Sequence, residues 1–141
     1  MAATQHDKAI RFRRLHEGPG VFVMPNPWDA GSARLLASMG YEALATSSAA
    51  SAGVLGKRDG EVTRDEAMAH VRAIVGATDL PLSADLEKGF GDAPADAAET
   101  IRLGAEAGLV GGSIEDATGD TARPLFEFNL AVERVAAAVE A

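Results

Sequence analysis

The chain has 141 residues, a net charge of −8 and no cysteine, which excludes disulfides, thiolate metal sites and a cysteine nucleophile and argues against nucleic acid or an anionic membrane surface as a partner. Nearly half of the residues are apolar and only 5% are aromatic, a composition suited to one domain, spanning 1–141, with close helix-on-sheet packing. No run of about 18 apolar residues occurs and the start, MAATQHDKAIRFRR, lacks the apolar core of a signal peptide, so the expected location is cytoplasmic.

In chain order, DKAIRFRRLHEG reads as an opening helix ended by Gly18-Pro19. GVFVMP is a short apolar strand, WDAGSARLLASMG a helix stopped by Gly40, and YEALATS a second strand. The stretch SAASAGVLGKRDGEV reads as a long link in which Asp59 and Glu61 suit a turn. Thr63 and Glu66 form a capping box ahead of a helix carrying Ala67, Val71, Ile74 and Val75. LPLSAD is a third strand; a third strand-following helix has Asp92 as candidate cap, Pro94 in its first turn and Gly108 as its stop. LVGGSIED is a fourth strand, and the last helix puts Val132, Val135 and Val139 on one stripe. The strands are short apolar runs without alternation, as in a parallel sheet covered by helices. An open doubly wound sheet and part of a (β/α)8 barrel both satisfy this order; the barrel needs about 250 residues.

In either architecture sites form at the carboxyl ends of the strands. Asp85 and Glu87 follow the third strand and Glu115-Asp116 the fourth. If strand geometry persists, Asp85 and Glu87 point the same way, and neighbouring strands lie about 4.8 Å apart, so Asp85, Glu87 and Glu115 can converge on one pocket. Three acids together repel, and a divalent cation with all-oxygen ligands, Mg²⁺ or Mn²⁺, relieves them. Such an ion also lets an acidic protein hold a carboxylate. TSSAAS offers hydroxyls and backbone N–H groups to an anion, or is simply a helix start. Trp28 is available as a wall and Asp29 as a cap. Glu87 and Asp116 also suit solvated loop positions, and His6, His16 and His70 read as surface residues. GFG and VGG match no phosphate-loop pattern, which leaves a nucleotide-binding open sheet as the weakest reading.

Together, VFVMPNPWDAGSARLLASMGYEALATSSAA, LPLSADLEKGFGD and GLVGGSIEDATGD resemble the isocitrate lyase/phosphoenolpyruvate mutase family, over about residue 10 to the end. The resemblance implies a partial (β/α)8 TIM barrel: the first four β/α units, preceded by an N-terminal helix, as the N-terminal half of an enzyme domain. It implies a Mg²⁺-dependent lyase-type activity on a 2-oxo acid or related carboxylate, making or breaking a C–C or P–C bond through a metal-stabilised enolate. By the same resemblance Asp85 is the direct metal ligand, and Glu87, Glu115 and Asp59 hold the ion mostly through its waters. Ser48, Ala49 and Ala50 match the segment that holds the substrate carboxylate and oxo group, and Trp28 a pocket-lining position. Catalytic residues are not assigned by the resemblance. Where isocitrate and methylisocitrate lyases of the family carry a lysine-lysine-cysteine-glycine-histidine segment, this chain reads ATGDTARPLFEF, so isocitrate cleavage is not expected. The remaining barrel units, with their clamping arginine, are not represented. Two functions follow as alternatives: a lyase completed by pairing into a homo-oligomer or by further chain, or a truncated, non-catalytic module that binds metal or carboxylate.

Overall fold

A computed structural model describes residues 3–141. The elements run α1 (Gln5–Glu17), α2 (Ala30–Ser38), β1 (Leu44–Ala45), α3 (Ser48–Val54), α4 (Arg64–Val75), β2 (Leu82–Asp85), α5 (Pro94–Glu106), β3 (Gly111–Ser113) and α6 (Phe128–Glu140). The three strands form one parallel sheet in the order β1-β2-β3, with Leu44 opposite Leu82 and Ser83 opposite Gly111. No helix among the described residues is long and apolar enough to cross a membrane.

The sheet has two unlike faces. Leu44, Leu82 and Ala84 point into the core, where they meet Ala33 of α2, Met68, Val71 and Ile74 of α4, and Ala107 and Leu109 beyond α5. Full burial of such side chains contributes about 1.5–3 kcal/mol each. The alternate residues, Ala45, Ser83, Asp85, Gly111 and Ser113, belong to the opposite face by the strand period of two and are small or polar. The uncovered face of the sheet is therefore not the apolar one. The amino end of the sheet is closed by α1: Lys8 Nζ donates to Thr78 O at 3.1 Å, Gln5 Nε2 donates to Leu109 O at 2.8 Å, and the Phe12 ring lies over Gly111. A Cβ at Gly111 would stand 2.7 Å from Phe12 Cε1, so any larger residue here would have to displace the Phe12 ring.

Three expectations need correction. The GVFVMP run forms no ladder strand; its segment runs beside β1 through a single bond, Ala45 N–H to Pro25 O at 3.2 Å. Pro25 and Pro27 have no N–H to give. The supposed link after the second strand contains α3, capped by the Ser47 hydroxyl on Ala50 N–H. The cap of α5 is Ala93, not Asp92: Pro94 takes the first helical position and Asp96 accepts from Ala93 N–H at 3.0 Å. The turn at Asp59–Glu61 and the Thr63–Glu66 capping box form as read.

The capping box yields a pH prediction. Glu66 accepts from Lys57 Nζ at 2.5 and 2.6 Å and from Thr63 N–H, and these bonds, Lys57's first, pull its carboxyl from 4.5 to about 2. A folded-state pKa below the unfolded one stabilises above the unfolded value and ceases to do so as pH falls through the folded one. Glu66→Gln is therefore expected to lower the melting temperature at pH 7. The gap to the unsubstituted chain should close between about pH 4.5 and about pH 2; a gap constant across that window would show that the ion pair contributes nothing.

Candidate metal and carboxylate site

β2 and β3 end side by side, Asp85 opposite Ser113, and the acids that follow them meet at one rim. The Asp85 carboxylate is fixed at both oxygens: Ser48 N–H donates to Oδ2 at 3.0 Å and Glu87 N–H donates to Oδ1 at 3.0 Å. The Asp85 N–H donates to Thr46 Oγ1 at 3.1 Å. Each carboxylate oxygen keeps a lone pair for another partner. The bond to Glu87 N–H is an Asx-type turn, and it ends the strand. Glu87 takes φ 50° and Phe90 φ 58°, left-handed conformations that cost a side-chain-bearing residue on the order of 1 kcal/mol. Strand geometry thus does not persist to Glu87; the turn aims it instead. Glu115 N–H donates to Glu87 O at 2.8 Å, tying the two post-strand loops together.

A cavity of about 420 Å³ opens there, lined by Ser48, Asp59, Glu87, Lys88, Glu115 and Thr118, among others. Asp85 does not line it but sits between Ser48 and Glu87, which do. Burial first, then the charges of Asp59, Asp85 and Glu115, push the Glu87 carboxyl above its ordinary range. Burial and then Asp85, Asp59 and Asp116 do the same to Glu115. Like charges within reach raise one another's pKa, so the four acids share one electrostatic site. Among the described residues no three such side chains stand close enough to hold an ion by direct ligation. The cavity lining offers carboxylate and hydroxyl oxygens, the ligand type that suits a hard cation such as Mg²⁺. Lys88 is the cation on this wall; its Nζ donates to Asp92 at 2.6 Å and to Thr118 O at 2.9 Å.

The other expected positions lie as follows. Ser48 is at the cavity, Ala49 is exposed and Ala50 is buried. Ser48 N–H is used by Asp85 and Ala50 N–H by Ser47 Oγ at 3.4 Å, so fewer backbone donors remain for an anion than the segment carries. Trp28 stands exposed outside the cavity lining. Asp29 is the cap of α2, accepting from Ser32 N–H at 2.7 Å. Asp116 is exposed. His6 and His16 are exposed as read, but His70 is not a free surface residue: Nε2 donates to Trp28 O at 2.7 Å and Nδ1 lies 2.9 Å from the Oγ of buried Ser51. Sequence reasoning also missed Arg134, 1% exposed, which donates to the carbonyls of Lys88, Gly91 and Ala93 beneath the Glu87 loop.

Comparison with known proteins identifies the family. The model of the phosphoenolpyruvate phosphomutase family matches residues 12–141. The chain belongs to that family. Members and near relatives include lyases and mutases. Over 115 residues the chain is 34% identical to 2-methylisocitrate lyase of Bacillus subtilis, covering 81% of this chain and 38% of that protein. It superposes on a Burkholderia cenocepacia J2315 protein described as a lyase/mutase with a TM-score of 0.94 at 57% identity, covering 96% of this chain and 49% of that one. A 2,3-dimethylmalate lyase gives a TM-score of 0.84 at 30% identity, over 98% of this chain and 48% of the other. The phosphomutase-family chain thus spans about half the length, or less, of the relatives it matches.

Proposed function

We propose that the chain forms four β/α units of a (β/α)8 barrel and carries the metal-binding rim of a Mg²⁺-dependent lyase acting on a 2-oxo acid or related small carboxylate. The observation that carries this reading is the convergence of Asp85, Glu87, Glu115 and Asp59 on one rim at the strand ends, with the carboxyls of Glu87 and Glu115 pushed upward. Coverage of the sheet on one face by helices suits a barrel wall; a doubly wound sheet is covered on both. Asp85 is the direct ligand, since its orientation is fixed by two backbone N–H groups, and Glu87, Glu115 and Asp59 bind the ion's waters. When bound, the ion supplies positive charge beside the substrate's oxo oxygen, where enolate charge develops as the adjacent bond is made or broken.

The chain's own residues prepare that chemistry. Lys88 offsets part of the acidic field and gives a substrate carboxylate a cationic neighbour. The Ser48 hydroxyl lies at the same cavity as a hydrogen-bonding group. The 117–119 segment, tied to Lys88 through Thr118 O, covers one side and limits water.

Thermal melts with and without Mg²⁺ and oxalate test the reading. The melting temperature is expected to rise when both are added, by mass action on the folded state. The sign of its pH dependence follows from the raised carboxyls. They bind protons more readily folded than unfolded, so the bare site costs stability at neutral pH, a cost that vanishes as pH falls. An ion needs the deprotonated forms. The rise should therefore be larger at pH 8 than at pH 5, and an equal rise at both would remove these acids from the binding site.

A further inference from the structure

We propose that His70 is a positioning residue for the rim: from α4 it ties the turn at Trp28 to α3, and through α3 it sets Ser48 and the Asp85 carboxylate. The inference rests on the reading of Asp85 as the ion's ligand, and its first test needs no ion.

His70 projects from the middle of α4, and both of its ring nitrogens are engaged. Trp28 O can only accept, so Nε2 carries the proton and donates to it at 2.7 Å. In the neutral ring Nδ1 then accepts from the Ser51 hydroxyl, 2.9 Å away. Ser51 is 7% exposed, and its Oγ also stands 3.0 Å from Ser47 O, so its single proton is shared between the two acceptors. Ser47 caps α3, and the next residue, Ser48, gives its N–H to Asp85 Oδ2 at 3.0 Å. One ring on α4 therefore joins the two segments that the family resemblance matches to the substrate pocket, Trp28 and Ser48–Ala50.

α3 needs such a tether because little else holds it. It has seven residues, too few for a helix to persist on its own, and Gly53 lowers its propensity further. Its buried side chains are Ala50, Ser51 and Ala52, whereas α4 buries Met68, Val71 and Ile74. Burial stabilises in proportion to apolar area, so methyl groups anchor a helix far less than the larger side chains of α4 do. Polar contacts take over that role. Lys57 N–H donates to Ala52 O at 2.9 Å beyond the carboxyl end, and the Ser47 hydroxyl accepts from Ala50 N–H at 3.4 Å at the start. Among the described residues, the Ser51–His70 contact is the one side-chain hydrogen bond that ties α3 to another helix.

Amide hydrogen exchange of the metal-free chain tests the tether. Ser48 N–H is held by Asp85, so its exchange reports whether α3 stands in place against β2. Relative to amides in the middle of α5, His70→Leu is expected to speed exchange at Ser48 and Ser51 by about tenfold, the effect of losing a hydrogen bond on local opening. Two further variants separate the arms, since an asparagine amide reaches the Nδ1 position and a glutamine amide the Nε2 position. His70→Asn should restore slow exchange at Ser48, and His70→Gln should not. Ser51→Ala should match His70→Leu, although alanine is the better helix former. Unchanged exchange at Ser48 in His70→Leu or in Ser51→Ala overturns the proposal. Calorimetric titration with Mg²⁺ and oxalate then reads the consequence for the site. Affinity should fall at least about tenfold in His70→Leu, as when a group that orients a metal ligand is lost, and recover in His70→Asn. Full affinity in a fast-exchanging His70→Leu chain overturns the positioning role. An unsubstituted chain that binds neither refutes the metal reading alone, since the exchange rates still decide the tether.

Discussion

Asp85→Asn is expected to abolish the joint Mg²⁺ and oxalate rise in melting temperature while leaving helical content nearly intact. In the unsubstituted chain, ligand at 100 times Kd stabilises by about 2.7 kcal/mol, a rise of roughly 10 °C for a domain of this size. The substitution removes the carboxylate best placed to touch an ion, since Ser48 N–H and Glu87 N–H hold both its oxygens at 3.0 Å. An asparagine accepts at one of those positions and presents an amide N–H₂ at the other, a loss of about 1–2 kcal/mol. Removing one negative charge from beside Glu87 and Glu115 offsets part of that. The fold should therefore survive and the ligand response should not. Asp79→Asn is the matched control: it makes the same change of charge before β2, at the opposite end of the strand from Asp85, and should keep the full rise. If Asp85→Asn retains the rise, the ion is held elsewhere.

What the sequence showed of the fold tracks where its signals are local. The Thr63–Glu66 box, the stop at Gly108 with φ 102° and the turn at Asp59–Glu61 are set by residues a few positions apart, and all form. The 21–25 run reads as a strand because it is apolar, yet a strand is made by partners, and this segment has one bond to β1 and none beyond. The reading of TSSAAS as a helix start holds, with Ser47 as the cap, but the extent of α3 was not legible because SAASAGV has small residues, an internal glycine and no apolar period. Asp92 looked like a cap because it lies near the helix start, but proline at the first helical position fixes the cap one residue later and leaves Asp92 to Lys88.

The site was legible in residue type and not in geometry. Acids after parallel strands pointed to Asp85, Glu87 and Glu115, and these share one electrostatic field with Asp59, which the residues alone read as a turn and only the family resemblance placed here. The mechanism of convergence differed, because the Asx turn at Asp85 reverses the backbone that strand alternation would have continued. His70 read as surface because it sits on a predicted helix beside charges and not at a strand end; its partners, Trp28 O and Ser51, come from 42 and 19 residues away. No local pattern carries such a contact.

Arg134 is the extreme case of that kind, and its substitution carries the largest expected effect on stability. An arginine in FNLAVERVAAAVE reads as solvated, yet its side chain is buried, with the guanidinium 4.2 Å from the Phe126 ring centre. It donates to Gly91 O at 3.0 Å, to Ala93 O at 3.4 Å and to Lys88 O. These carbonyls flank the two left-handed non-glycine residues of the Glu87–Phe90 turn, so the guanidinium holds a strained loop in place from α6. Arg134→Leu keeps the bulk but leaves the part-buried carbonyls of Lys88 and Gly91 without this donor, each worth about 1–3 kcal/mol, while Ala93 O keeps the N–H groups of Asp96 and Ala97. The expected loss is about 3 kcal/mol, or roughly 10 °C in melting temperature. Arg134→Lys keeps the charge but not the planar fork that reaches several acceptors while stacking on a ring, and should fall between. Because the loop carries Glu87 and Lys88, calorimetric titration with Mg²⁺ and oxalate well below the melting temperature should also show weaker binding in both variants. Full affinity in a destabilised Arg134→Leu chain would mean that the guanidinium supports the fold without positioning the rim.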